Sequence, residues 1–108
     1  MKVTFGEYIR HLRTKKGLTL TKLASQLDLD SANLSKIENG KRDFDEKRLE
    51  KLANVFNLEI DELKMEYFGD LFARKMHKHN CLPETLIVAK QKIKYLKSKN
   101  IKQSEIKF

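Results

Sequence analysis

A chain of 108 residues with a formal net charge of +8, from 23 Lys or Arg against 15 Asp or Glu, has room for one compact domain plus an appendage and favours a polyanionic partner. One proline, four glycines and 40% hydrophobic residues fit an almost wholly helical protein, and a single cysteine, Cys81, excludes an intrachain disulfide and suits a reducing cytoplasm. No window approaches the roughly 20 apolar residues of a membrane span, and the first residues, MKVTFGEYIRHLRTKK, hold no signal-like apolar stretch, so a soluble, cytoplasmic chain without a membrane partner is expected.

The first helix is expected from about Thr4 to Lys16, with Phe5, Tyr8, Ile9 and Leu12 inward and Gly17 as a left-handed cap. Thr19 is a helix-start residue ahead of Leu20, Leu23, Ala24 and Leu27, which makes a short second helix stopping near Asp28. Asp30 can accept from the backbone N–H of Asn33, and its charge suits the positive end of a third helix that turns Leu34 and Ile37 inward and stops at Gly40. Lys41, Arg42, Asp43 and Phe44 form a polar loop leading to Asp45, the expected cap of a fourth helix with Leu49, Leu52, Ala53, Val55 and Phe56 as its stripe. Ile60, Leu63, Tyr67, Phe68, Leu71, Phe72 and Met76 continue at helical spacing, so the fifth helix is long. Gly69 inside it costs about 1 kcal/mol relative to alanine, which points to close approach of a neighbouring backbone in preference to a bend. HKHNCLPE then breaks the pattern, with Pro83 expected in the first turn of a sixth helix running to about Lys99. That helix has one narrow apolar seam, Leu86, Ala89, Ile93 and Leu96, and must pack on the fifth helix or on a second copy. Residues 100–108 are expected to fray, with Ile101, Ile106 and Phe108 available to dock onto a partner.

Residues 18–42, LTLTKLASQLDLDSANLSKIENGKR, therefore read as two short helices around a turn of about three residues, followed by a basic loop. This is the layout of a DNA-reading helix-turn-helix. Four further pieces fall in order: I-R-x-L-R at 9–13, K-G-L-T at 16–19, L-S-K-I-E-N-G-K-R at 34–42 and L-x-K-L-A at 49–53. On these motifs the segment from about Phe5 to Leu63, a little over half the chain, resembles the Cro and phage-repressor type of helix-turn-helix domain, also called the xenobiotic-response-element family. The resemblance implies an all-α fold: a five-helix repressor-like domain over 1–63, a C-terminal helical extension over 64–99 and a tail over 100–108. Two positions depart from the family pattern, which usually has glycine where this chain has Asp28 and proline where it has Phe44. Aspartate tolerates the left-handed conformation better than most residues, and Phe44 can add an apolar contact.

Carried over by the resemblance, the residues of the second motif helix that meet base edges are Ser31, Ala32, Asn33 and Lys36, with Ser35 near the backbone. Their chemistry fits: Lys36 can donate to guanine O6 and N7, Asn33 can pair with adenine or a phosphate, and Ala32 can meet a thymine methyl. Asn33 can equally bond locally at the helix start. Phosphate contacts come from hydroxyls, amides, lysines and helix N-termini. The candidates are Thr19, Thr21 and Lys22 before and within the second helix, and Asn39, Lys41 and Arg42 after the third; Asn39 and Gly40 would shape a loop that aims backbone N–H groups at the sugar-phosphate chain. Arg13 and Glu38 stand where the family has a structural ion pair. The family also binds as two-fold dimers on near-palindromic operators, which implies a homodimer. The extension supplies a surface for it, in Tyr67, Phe68, Leu71, Phe72, Leu86, Ile93 and Leu96, although such a stripe can also complete the chain's own core.

Charge is unevenly placed, with a net of +2 over residues 1–61, +1 over 62–83 and +5 over 84–108, so most of the excess lies outside the motif and can be either a solvated face or a DNA contact. An enzyme is disfavoured: there is no glycine-rich phosphate loop, no G-x-S-x-G and no isolated carboxylate pair on an apolar face. His77, His79 and Cys81 alternate and could bind zinc on an extended loop, but a fourth ligand is missing, so no metal and no cofactor are expected. For single-stranded RNA the exposed aromatics near lysines reduce to Phe44 and Tyr95. The expected function is a double-stranded DNA-binding regulator of transcription, of repressor or restriction-modification controller type. The alternative is an antitoxin that binds a partner protein through its C-terminal helices and represses its own operon.

Overall fold

The computed structural model describes residues 3–99; the tail with Ile101, Ile106 and Phe108 lies outside them. Among the described residues there are six α-helices and no strand: α1 Phe5–Lys16, α2 Leu20–Gln26, α3 Ser31–Glu38, α4 Leu49–Phe56, α5 Ile60–Lys78 and α6 Thr85–Ser98, with a 3-10 turn, Glu46–Arg48, leading into α4. The chain divides into two units between Ala73 and Arg74, and α5 crosses the division.

Local chemistry sets the helix ends. The Thr4 hydroxyl accepts from the Glu7 N–H while the Glu7 carboxylate takes the Thr4 N–H, a reciprocal capping box that starts α1. Gly17 closes α1 at φ 75°, where only a residue without Cβ is unstrained. Thr19 accepts from the Lys22 N–H and Asp30 from the Asn33 N–H, as their positions predict. Asp45 does cap, but it caps the 3-10 turn by accepting from Lys47, so α4 begins a turn later than expected and has no side-chain cap of its own. Pro83 likewise lies in the turn before α6 and not in its first turn.

The core of the first unit gathers Phe5 and Ile9 from α1, Leu23, Ala24 and Leu27 from α2 and its cap, Leu34 and Ile37 from α3, Leu49, Leu52 and Ala53 from α4, and Leu63 from α5. Each large side chain fully withdrawn from water contributes about 1.5–3 kcal/mol, so these short helices are held by one shared interior and not by their own propensity. Phe44 joins that interior. Its ring lies 5.6 Å from that of Phe5, and its carbonyl accepts a hydrogen bond from the Tyr67 hydroxyl at 2.8 Å. The departure from proline thus closes the loop by burial, and it removes Phe44 as a surface for stacking a base.

Gly6 is where two backbones touch. A Cβ built on it would lie 2.1 Å from the carbonyl oxygen of Ile37 and 3.2 Å from Cα of Glu38, so α1 can lie this close to α3 only with glycine there. Gly69 is the opposite case and corrects the expectation for it: a Cβ there would meet nothing within 4 Å. Gly69→Ala should therefore stabilise the chain by about 1 kcal/mol, raising the thermal midpoint by about 4–8 °C. A fall in the midpoint would mean that some other backbone approaches Gly69.

In the second unit, α6 leaves Leu86, Ile87, Val88, Ile93 and Tyr95 exposed, and only Leu96 is half-buried. Met65 and Phe72 on α5 are also exposed. No helix among the described residues is long and apolar enough to cross a membrane.

Candidate nucleic-acid interface

α3 buries Leu34, Ile37 and Glu38 and turns Ser31, Ala32 and Lys36 to solvent, with Asn33 and Ser35 half-exposed. These five expected DNA-facing residues thus share one helix whose opposite side is anchored in the core.

The anchor is electrostatic as well as apolar. Arg13 meets Glu38 through two bonds, Nε to Oε2 at 2.8 Å and Nη2 to Oε1 at 3.0 Å, while its Nη1 donates to the Leu18 carbonyl at 3.0 Å. One guanidinium therefore joins α1, α3 and the loop before α2. The Glu38 side chain is only 2% exposed, and its hydrogen bond to Arg13 pushes the guanidinium above its usual value, against burial and helped by the carboxylate's charge. Arg10, which motif reasoning passed over, adds Nε to the same carboxylate at 3.3 Å and donates through Nη2 to the Asn39 side-chain oxygen. Gly6, Arg10 and Arg13 recur at spacings of four and three, so one face of α1 carries both the close approach and the ion pairs. That spacing, with a glycine on a helix's inner side, was the available signal.

After α3, Asn39 donates to the Ser35 carbonyl at 2.9 Å and accepts from Arg10, so its amide shapes the loop. Gly40 at φ 74° sends its N–H to Ile37, and Lys41 sends its N–H to Lys36. These two N–H groups point back into the helix end, so any backbone N–H offered to a phosphate would come from further along the loop. Lys41 and Arg42 have exposed side chains, as do Thr21 and Lys22 at the start of α2; the Thr19 hydroxyl is engaged as the cap. Arg42 is not loose. Its Nη1 donates to Asn33 Oδ1 at 3.1 Å, and Asn33 Nδ2 donates to Asp30 at 2.9 Å.

The turn between α2 and α3 holds Asp28 at φ 56°, the left-handed geometry for which the family prefers glycine. Two cations that flank the start of α4 secure it. Arg48 donates to the Leu27 carbonyl at 3.0 Å and to that of Asp28 at 3.3 Å, and Lys51 pairs with the Asp28 carboxylate. The Lys51 hydrogen bond, then its charge and that of Arg48, hold the Asp28 carboxyl below its usual value. Neither the role of Arg48 nor that of Lys51, the lysine of L-x-K-L-A, could be read from the motifs, because they act across about twenty residues of sequence.

Of the residues expected at a dimer surface, Tyr67 is turned inward: its ring meets Phe5 edge-on at 5.2 Å and its hydroxyl is engaged by Phe44. Tyr67 remains half-buried, so part of it is committed to the chain's own core. Phe68 is half-buried with its ring 5.0 Å from Tyr67 and 5.9 Å from Phe72, and Leu71 is half-buried. Phe72, Leu86 and Ile93 are more than half exposed. His77 lies in the last turn of α5, so His77, His79 and Cys81 do not lie together on one extended loop. Among the described residues no group of three His, Cys, Asp or Glu side chains comes together.

A helix-turn-helix family profile matches residues 9–63. The control protein C.MunI of Mycoplasma sp is 38% identical over 64 residues, covering 58% of this chain and 86% of that one. ImmR of Bacillus subtilis, an HTH-type transcriptional regulator, is 30% identical over 92 residues, covering 85% of this chain and 69% of that protein. Among solved structures, the clp gene regulator ClgR from Corynebacterium glutamicum superposes with a TM-score of 0.52 at 21% identity, over 69% of this chain and 80% of the other, a likeness of fold alone.

Proposed function

From the premise that the chain belongs to the helix-turn-helix family of Cro and phage-repressor type and is a DNA-binding regulator of transcription, we propose that it reads a near-palindromic operator as a homodimer. In this reading the protein is a non-enzymatic, cytoplasmic repressor or restriction-modification controller that works without a cofactor. One domain covers one half-site, and two copies place two α3 helices about one helical turn of DNA apart. The observation that carries the reading is the state of α3: Ser31, Ala32 and Lys36 face solvent on a helix whose other side is locked to α1 by Gly6, Arg13 and Glu38. A rigid, exposed edge is what discrimination between base pairs requires. Phe72 and Met65 on α5, and separately Leu86 and Ile93 on α6, supply exposed apolar area for the second copy. C.MunI is a control protein and ImmR a transcriptional regulator, which supports this role over that of a toxin-capping partner.

Lys36 reads bases in this proposal, while Arg42 and the residues at the start of α2 hold phosphates. Lys36→Ala should lose about 1–3 kcal/mol of discrimination at one or two base pairs. Arg42→Ala should weaken all duplexes by a similar factor and reduce the salt slope by about one. Titrating both variants against an operator and its single-base changes, at two or more salt concentrations, separates the roles. Identical profiles for the two variants would contradict them.

A further inference from the structure

We infer that Asn33 serves recognition by positioning Arg42 on the DNA backbone and does not itself read a base. The inference rests on α3 being the DNA-facing helix. Three bonds carry it. Asp30 Oδ1 accepts the Asn33 backbone N–H at 2.7 Å, Asp30 Oδ2 accepts from Asn33 Nδ2 at 2.9 Å, and Asn33 Oδ1 accepts from Arg42 Nη1 at 3.1 Å. A carboxylate can only accept and a guanidinium can only donate, so these partners leave the Asn33 amide one orientation. Each end of that amide is engaged within the protein, and the side chain is half-exposed where Ala32 and Lys36 are exposed. A bidentate contact to adenine needs both ends of the amide, and here it would have to share both.

Arg42, by contrast, keeps four of its five N–H donors after the bond to Asn33. A guanidinium fork is the group best matched to phosphate oxygens, and one already held in place loses less freedom when it binds. Asp30 is thus the fixed end of a three-residue strut: it starts α3, orients Asn33, and through Asn33 sets the arginine that follows the helix. A loop residue five positions beyond Ile37 is thereby tied to the first turn of the recognition helix.

The test exploits a neutral-for-neutral change. Asn33→Ala removes no charge and leaves the Asp30 cap intact, because that cap uses the backbone N–H. If Asn33 only positions Arg42, Asn33→Ala should weaken every duplex by a common factor of about two- to tenfold, leave the order of preferred bases unchanged, and lower the salt slope by up to about one. The double variant with Arg42→Ala should bind no more weakly than Arg42→Ala alone. Loss of preference at one base pair with an unchanged salt slope would overturn the inference, and so would additive losses in the double variant or wild-type behaviour of Asn33→Ala. If the wild-type chain preferred no duplex at all, the premise about α3 would fall first and carry the inference with it.

Discussion

Gly6→Ala should lower the thermal midpoint by on the order of 10–20 °C, the loss expected from about 3 kcal/mol of overpacking in a domain this small. The added methyl would stand 2.1 Å from the Ile37 oxygen, and the neighbouring atoms are backbone, which cannot swing aside as a side chain would. The same oxygen accepts the Gly40 N–H that closes α3. Pushing it away therefore loosens the end of the recognition helix as well as its seat on α1, and DNA affinity should fall with stability. Differential scanning calorimetry of this variant beside Gly69→Ala is the direct check. The two substitutions have identical chemistry and opposite surroundings, so a stabilised Gly6→Ala would refute the close packing of α1 on α3.

Glu38→Ala should cost about 3–5 kcal/mol by urea unfolding, because it strands the Arg13 guanidinium in a nearly closed site and sets it beside Arg10 without their shared carboxylate. Arg13→Ala should cost less, since Arg10 already touches Glu38 and can take over part of the pairing. Replacing both partners with apolar residues of similar volume should recover much of the loss, as a buried pair is worth less than the penalty for breaking it. The raised pKa of Arg13 fixes the alkaline side: its contribution is complete below the guanidinium's ordinary value and is lost only as pH rises through the still higher native one. Between pH 6 and 9 the wild type should therefore show no loss of stability from this pair. Additive, small losses in the two single variants would show that the pair is solvated and not a lock.

Elements governed by neighbours in sequence were legible before the fold. The capping residues Thr19 and Asp30, the left-handed glycines Gly17 and Gly40, and the apolar spacing of α1 to α5 each act within four residues of themselves, whereas Thr4, expected inside the first helix, caps it from outside. Phe44, a large apolar residue in a polar loop, allows either an apolar contact or an exposed ring, and only its packing on Phe5 and its bond with Tyr67 decide for burial. What escaped depends on distant partners. Gly6 and Gly69 look alike as helix glycines, and only the position of the Ile37 carbonyl distinguishes them. Tyr67 and Phe72 lie on one apolar stripe, yet the hydrogen bond to Phe44 turns the first inward while the second stays exposed. The Asp28 turn could be expected to survive, but the Arg48 and Lys51 contacts that hold it belong to another element. At the interface, the resemblance points to Asn33 and Arg42 separately, and the bond that joins them across nine residues is visible only in the fold.

Enrichment of bound duplexes from a random pool at moderate salt tests the DNA-reading role of α3 most directly, run in parallel on the wild type and on Lys36→Ala. The wild type should converge on a sequence with two inverted half-sites, and the variant should lose information at the same position or positions in each half while keeping the spacing. A wild-type pool that stays indistinguishable from scrambled competitor, or a variant that selects the same sequence as the wild type at every position, would contradict it.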